Sequence, residues 1–97
     1  ELPAIDLPDG SVDWIWSAFL FHEVEPRQRL AAEMRRVVRP GGRVAVLDWR
    51  PDAASDGGPA RSHRLSAVQV CEYVRAAGFR NASRIWQDDE AYLVEAH

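Results

Sequence analysis

The feature that most constrains this chain is a short run of apolar and aromatic residues, VDWIWSAFLF, at positions 12–21. Its length and its content of aromatic and β-branched residues are typical of a β-strand. A strand without polar alternation is usually buried on both faces, as in a parallel sheet. The run therefore predicts a central strand of a layered α/β domain.

The residues that follow predict a helix at 26–39. Pro26 suits the first turn of a helix. Apolar residues then recur at the spacing of one helical stripe, and arginines occupy the other side, where we expect them to be exposed. The stripe consists of Leu30, Met34, Val37 and Val38, and the arginines are Arg27, Arg35, Arg36 and Arg39.

A second strand is predicted at 43–49, in the run RVAVLDW. Pro40 is expected to end the helix, because proline disfavours helical angles in the residue before it. Gly41 and Gly42 then permit the reversal into the strand. A strand, a crossover of about twenty residues and a second strand form a βαβ unit, in which the strands are parallel.

The remainder predicts a loop at 51–62, another helix and a hairpin. Ser66 and Gln69 have the spacing of a capping box at the start of that helix. Gly78 suits its end in a Schellman motif. Strands are expected at 82–87 and 91–96, joined by the acidic turn between them.

Composition excludes several classes of protein. The net charge of −3 gives no electrostatic basis for binding nucleic acid or an anionic membrane. The chain has no lysine, which excludes a P-loop lysine or a Tyr-x-x-x-Lys pair within it. No apolar run approaches the ~20 residues of a membrane helix. The single cysteine, Cys71, cannot form a disulfide within the chain, which fits a reducing cytoplasm. The three histidines lack the spacing of metal ligands, so we expect no metal.

Three linked blocks resemble the C-terminal half of a class I S-adenosylmethionine-dependent methyltransferase. They are LPDGSVDWIWSAFLFHEV, EMRRVVRPGGRVAVLDW and HRLSAVQVCEYVRAAGF, in the family's order. The first resembles the segment leading through the family's fourth strand, and the second resembles its fifth strand with the preceding helix. The likeness spans nearly the whole chain and is greatest to the bacterial branch that acts on small molecules.

The resemblance implies an α/β fold, namely part of a Rossmann-like methyltransferase sheet. The family sheet has the order 3-2-1-4-5-7-6, and residues 1–97 would supply strands 4 to 7 as the C-terminal portion of a single domain. The N-terminal half, with the Gly-x-Gly-x-Gly loop that holds S-adenosylmethionine, has no counterpart among these residues. We can assign helices to only one face of the sheet.

The resemblance also implies cofactor contacts. Aligned from Asp13, the family's adenine-binding pair falls on Glu1 and Leu2, although a frayed terminus explains these two residues equally well. The position after the fourth strand falls on Ala18, beside Ser17 and Phe19. Core packing is the alternative for these residues, and it suits Phe19 better than Ala18.

Substrate-side residues are expected where the two strands end, because open α/β sheets bind ligands beyond the carboxyl ends of their strands. His22 would line the substrate or act as a base, and the alternative is a structural histidine that orders the loop before the helix. Trp49 would wall a pocket, and Arg50 would bind an anionic group. A packed tryptophan and a solvated arginine are the alternatives. His63 and Arg64 would close over substrate or form a solvated lid.

Two functions follow from this interpretation. The first is methyl transfer from S-adenosylmethionine to a small molecule, carried out by a longer parent protein. The second is a non-enzymatic half-domain that associates through its open sheet edge, either as a homodimer or with an N-terminal fragment. A nicotinamide oxidoreductase shares the layered fold, but the chain lacks the Tyr/Lys pair.

Overall fold

A computed structural model describes residues 4–53 and 64–97 as one four-stranded mixed sheet with two helices. The strand order is β1-β2-β4-β3, in which β1 and β2 are parallel and β4 is antiparallel to both of its neighbours. This is the arrangement expected for strands 4, 5, 7 and 6. The elements along the chain are β1 (Val12–Ala18), α1 (Arg27–Val37), β2 (Val38–Trp49), α2 (Ala67–Ala76), β3 (Ser83–Gln87) and β4 (Ala91–Ala96).

The junction between α1 and β2 differs from the prediction. The helix ends at Val37, and β2 begins at once with Val38, so Pro40 does not end the helix. Val12 pairs with Val38 but Trp14 already pairs with Arg43, so the Pro-Gly-Gly segment forms an irregularity within the strand. A Cβ added to Gly42 would lie 2.6 Å from the backbone oxygen of Asp13, so the neighbouring strand requires glycine here.

The second helix follows its predicted caps. The Ser66 side chain accepts a hydrogen bond from the backbone N–H of Gln69, and the Gln69 side chain accepts one from the N–H of Ser66. At the other end Gly78 has a φ of 109°. The N–H of Phe79 donates to the carbonyl of Val74 at 3.0 Å, which completes a Schellman motif. Both helix ends thus satisfy backbone groups that would otherwise lack partners.

Both helices lie on one face of the sheet, as expected from the sequence. The core between them is built from the stripe of α1, the inner side of α2 and alternate residues of β2 and β4. Its fully buried members include Phe21, Ala31, Val46, Val70, Val74 and Ala96.

The opposite face of the sheet is open in the described part of the chain. The strand expected at 12–21 ends at Ala18, and Trp14 and Trp16 on it are 55% and 56% exposed. The prediction that this strand is buried on both faces is therefore wrong for the described part of the chain. The register places Leu47, Leu93 and Trp86 in one row on this side, and Trp86 is 48% exposed. We call Trp14, Trp16, Leu47, Leu93 and Trp86 the open face.

Arg36 was expected to be exposed on the outer side of α1, but it ties the N-terminal segment to that helix. Its guanidinium donates to both oxygens of Glu33 and to the backbone carbonyls of Ile5 and Leu7. It also forms a 2.8 Å ion pair with Asp9. The prediction failed because the partners come from the turn-rich segment before β1, which has no periodicity.

Candidate functional site

The carboxyl ends of β1 and β2 lie at the same edge of the sheet, because these strands are parallel. Phe19 follows β1 directly and has a φ of 56°, which is uncommon for a residue with a bulky side chain. Its N–H donates to the carbonyl of Leu47 at 2.7 Å. Its ring contacts the ring of Trp49, with centroids 5.0 Å apart. The two strand ends therefore share a small aromatic wall.

Arg64, which follows residues 54–63 in the sequence, adds a cation to this aromatic wall. Its guanidinium carbon lies 5.7 Å from the centroid of the Trp49 ring, within the range of a cation–π contact. One of its N–H groups donates to the carbonyl of Arg50 at 3.0 Å. Arg64 is buried, so the solvated lid is wrong for this residue. His63 lies outside the described residues.

His22 is buried against Asp48, which ends the apolar run of β2. The His22 Nδ1 and an Asp48 oxygen are 2.7 Å apart, and the backbone N–H of His22 donates to the other oxygen at 3.0 Å. The N–H of Trp49 also donates to Asp48, at 2.8 Å. These three hydrogen bonds join the loop after β1 to the end of β2. The backbone carbonyl of His22 accepts a hydrogen bond from Arg27, the first residue of α1, so the predicted ordering of this loop is observed as well.

Tyr92 on β4 lies in the same row as Asp48. Its hydroxyl donates to the backbone carbonyl of Leu65 at 2.5 Å. Burial raises the pKa of Tyr92 well above its usual range, and the negative charge of Asp48 raises it further. Tyr92 is thus a neutral hydrogen-bond donor that fixes the entry to α2.

The three residues predicted to contact the cofactor occupy the end of β1. Ser17 is buried on the helical side, and its hydroxyl oxygen has no hydrogen-bond partner among the described residues. Ala18 and Phe19 are exposed. Glu1 and Leu2 lie outside the described residues, so their predicted contact with adenine stays a prediction.

Arg50 has partners within the chain. Its guanidinium makes two 3.0 Å hydrogen bonds to the carboxylate of Asp52 and donates to the backbone carbonyl of Asp88 at 2.7 Å. The bonded Asp52 raises the pKa of Arg50 above its usual value. An anionic substrate would have to displace Asp52, so the role predicted for Arg50 stays a prediction.

Two further observations concern reactive groups and metals. Cys71 is buried, as expected, and burial raises the pKa of its thiol. Across residues 4–53 and 64–97, no three His, Cys, Asp or Glu side chains are grouped as metal ligands. Within the same ranges, no helix is both long and apolar enough to cross a membrane.

The sequence analysis missed the link between His22 and Asp48, although one signal was present. Aspartate is almost never fully buried unless it is paired. Asp48 stands inside the apolar run RVAVLDW, and it is 0% exposed. An acidic residue in such a run therefore predicts a buried hydrogen-bond donor that pairs with it. His22 lies just beyond the neighbouring strand, so it was a candidate for this donor.

Comparisons with known proteins agree with this architecture. Residues 1–46 match the family described as a methyltransferase domain. The 2-methyl-6-phytyl-1,4-hydroquinone methyltransferase of Synechocystis is 41% identical over 46 residues, which cover 47% of this chain and 14% of that protein. The ubiquinone/menaquinone biosynthesis C-methyltransferase UbiE of Cupriavidus taiwanensis is 41% identical over 51 residues, covering 48% of this chain and 21% of that protein.

Solved structures extend the likeness to the rest of the chain. A SAM-dependent methyltransferase from Aquifex aeolicus superposes with a TM-score of 0.85 at 32% identity, covering 99% of this chain and 50% of that one. The [4+2]-cyclase SpnF superposes with a TM-score of 0.67 at 27% identity, covering 84% of this chain and 32% of that one.

The fold is thus an α/β fragment of the kind that makes up about half of a methyltransferase structure. Residues 1–46 thus match the methyltransferase-domain family, and the described chain as a whole is similar to part of a SAM-dependent methyltransferase structure. The chain spans half the length of the Aquifex aeolicus structure, and its matches span 14% and 21% of the length of the two curated relatives.

Proposed function

We propose that these residues are the C-terminal portion of a methyltransferase domain that transfers a methyl group from S-adenosylmethionine to a small-molecule acceptor. The glycine-loop half would belong to the same parent protein. The observation that carries the proposal is the edge where β1 and β2 end, because the exposed Ala18 and the Phe19–Trp49 wall lie together there. Ligands of open α/β sheets bind at such an edge.

The chain's own residues suit the cofactor at this edge. Ala18 leaves room beside the strand end, and the Phe19 ring can shield a reacting methyl group from water. Methyl transfer depends mainly on alignment and exclusion of solvent, so no nucleophilic side chain is needed. Ala18 and Phe19 would therefore pack against S-adenosylmethionine, and Ser17, whose side chain is buried, would contribute only its backbone. Glu1 with Leu2 would contact the adenine.

A hydroquinone-type ring is the acceptor that we propose. Two relatives are named as methyltransferases of hydroquinone or ubiquinone and menaquinone biosynthesis. The ring of Trp49, held between Phe19 and Arg64, offers a flat surface on which an aromatic acceptor can stack. His22 would line the acceptor from the helical side of the sheet, while Arg50 would act only on an acceptor that carries an anionic group.

Calorimetric titration with S-adenosylhomocysteine tests the proposal. The full-length gene product that contains these residues should bind at micromolar concentration, whereas the 97-residue chain should bind weakly or not at all. Ala18→Trp in the full-length protein should weaken binding at least tenfold, because it crowds the strand end. Gln28→Ala, an exposed change on α1, is the matched control. Equal affinity of the Ala18→Trp variant and the control would contradict the proposed cofactor position.

The open face favours a second candidate function, that of a non-enzymatic half-domain. A second copy or an N-terminal fragment would pair with the edge strand β1 and pack against the exposed tryptophans. The full-length coding sequence discriminates the two candidates. A strand followed by Gly-x-Gly-x-Gly in the preceding ~100 residues supports the enzyme, whereas a start codon directly before Glu1 supports the half-domain. Both proposals place the protein in the cytoplasm, with no nucleic-acid or membrane partner.

A further inference from the structure

The segment before β1 is attached to α1 by two side chains, those of Glu33 and Arg36. The backbone of Ile5 is bonded on both sides of its peptide plane pair. Its N–H donates to a Glu33 oxygen at 3.0 Å, and its carbonyl accepts from Arg36 at 2.7 Å. Arg36 also donates to the backbone carbonyl of Leu7 and to the carboxylate of Asp9, each at 2.8 Å.

The Glu33–Arg36 pair is itself well ordered. The guanidinium of Arg36 donates two hydrogen bonds to the Glu33 carboxylate, of 2.8 and 3.1 Å, which is the bidentate geometry of a strong pair. The Glu33 side chain is only 10% exposed. The bonds from Arg36 and from the N–H of Ile5 lower the pKa of Glu33 to about 2, so its carboxylate is ionised at neutral pH.

The segment that this pair holds has no regular structure of its own. Residues 4–9, which we call the entry segment, form neither helix nor strand. Their position therefore depends on the bonds to α1 and on Ile5, which packs against the core. Glu1 and Leu2 precede Ile5 by four and three positions. Four residues span at most about 14 Å even when extended, so fixing Ile5 limits where the Glu1 carboxylate can lie.

We infer that Glu33 and Arg36 are positioning residues for the cofactor, which hold the entry segment so that Glu1 and Leu2 can reach the adenine ring; this inference rests on the proposed methyl transfer. Both residues act through the backbone of Ile5 and not by touching the ligand. The adenine amino group is a donor that a carboxylate accepts. Without the pair, the entry segment must be ordered when the cofactor binds, and this loss of entropy lowers the affinity.

Calorimetric titration of the full-length protein with two ligands tests the inference. The ligands are S-adenosylhomocysteine and S-inosylhomocysteine, in which a carbonyl replaces the adenine amino group. The wild type should bind the adenosyl compound about tenfold or more tightly, because a carboxylate that faces a carbonyl has no donor. Arg36→Gln should weaken binding of the adenosyl compound about tenfold and reduce its preference over the inosyl compound to about threefold or less.

Arg39→Gln is the matched control. Arg39 also forms an ion pair with an aspartate, at 2.6 Å, but its partner Asp13 lies on β1 and not in the entry segment. This variant should keep both affinities within twofold of the wild type. Arg36→Lys is the second variant, used if Arg36→Gln does not fold. Its ammonium keeps the charge but has three donors, which cannot replace the five bonds of the guanidinium, so the preference should fall at least threefold.

The preference between the two ligands separates a positioning role from a purely structural one. A structural pair would lower the urea midpoint of the variant and leave the ratio of the two affinities unchanged. A ratio within twofold of the wild type in the variant that folds overturns the inference, and so does a wild type without preference. A wild-type protein that binds neither compound would instead refute the proposed function itself.

Discussion

The open face makes self-association of the 97-residue chain a quantitative prediction. Trp14, Trp16 and Trp86 are 55%, 56% and 48% exposed. A tryptophan offers up to about 250 Å², so the three together leave roughly 300 Å² or more in water. At about 25 cal/mol per Å² this is about 8 kcal/mol per copy, or about 15 kcal/mol for two copies. Association costs about 4 to 15 kcal/mol. The net gain at the middle of that range is about 5.5 kcal/mol, so we expect a dissociation constant of about 100 μM or tighter.

Sedimentation velocity on the bare chain between about 10 μM and about 1 mM, a range that brackets this dissociation constant, is the assay. The perturbation replaces all three tryptophans with threonine, which retains a high strand propensity. The triple variant should sediment as a monomer where the parent chain forms dimers or larger species. Val68→Thr is the control, because Val68 is an exposed apolar residue on α2, outside the open face. A parent chain that stays monomeric across this range and melts cooperatively would refute the reasoning.

Three other substitutions test the fold by denaturant unfolding or acid titration. Gly42→Ala should destabilise the chain by about 1–3 kcal/mol, because its Cβ would lie 2.5 Å from a methyl group of Val38 and close to backbone of β1. Tyr92→Phe should cost about 1–3 kcal/mol in urea unfolding, since it leaves a buried carbonyl without its donor. Hydrogen bonds from Arg36 lower the pKa of Glu33 from its ordinary 4.5 to about 2. Stability that Glu33 confers above pH 4.5 is therefore lost as the pH falls toward 2, and Glu33→Gln should flatten that part of the acid titration.

The parts of the fold that were predictable depend on local patterns. The capping box at Ser66, the glycine ending at Gly78 and the hairpin at 83–96 involve residues a few positions apart, and the structure has them all. The parallel pairing of β1 with β2 was also predictable, because short crossovers allow little else. The start of β2 was not predictable, because it depends on how closely the backbone of Asp13 on the neighbouring strand approaches Gly42.

The sheet edge that carries the candidate site was predictable, but the contacts between its residues were not. The strand-end rule correctly brought Phe19, His22 and Trp49 to one edge, because parallel strands place their carboxyl ends together. It could not pair His22 with Asp48, which are 26 positions apart, nor stack Arg64 on Trp49 across residues 54–63. Those contacts depend on side-chain directions that only the folded backbone defines.

The buried pair explains how a chain with an open face can still hold a precise site. His22 and Asp48 are buried on the helical side of the sheet, and their hydrogen bonds tie the loop after β1 to the end of β2. The tryptophans on the other face do not contribute to that tie. Covering the open face should therefore change association and stability while leaving the imidazole in place. The His22 tautomer should accordingly be the same in the bare chain and in the full-length protein, which nitrogen-15 spectra of the two imidazoles can compare directly.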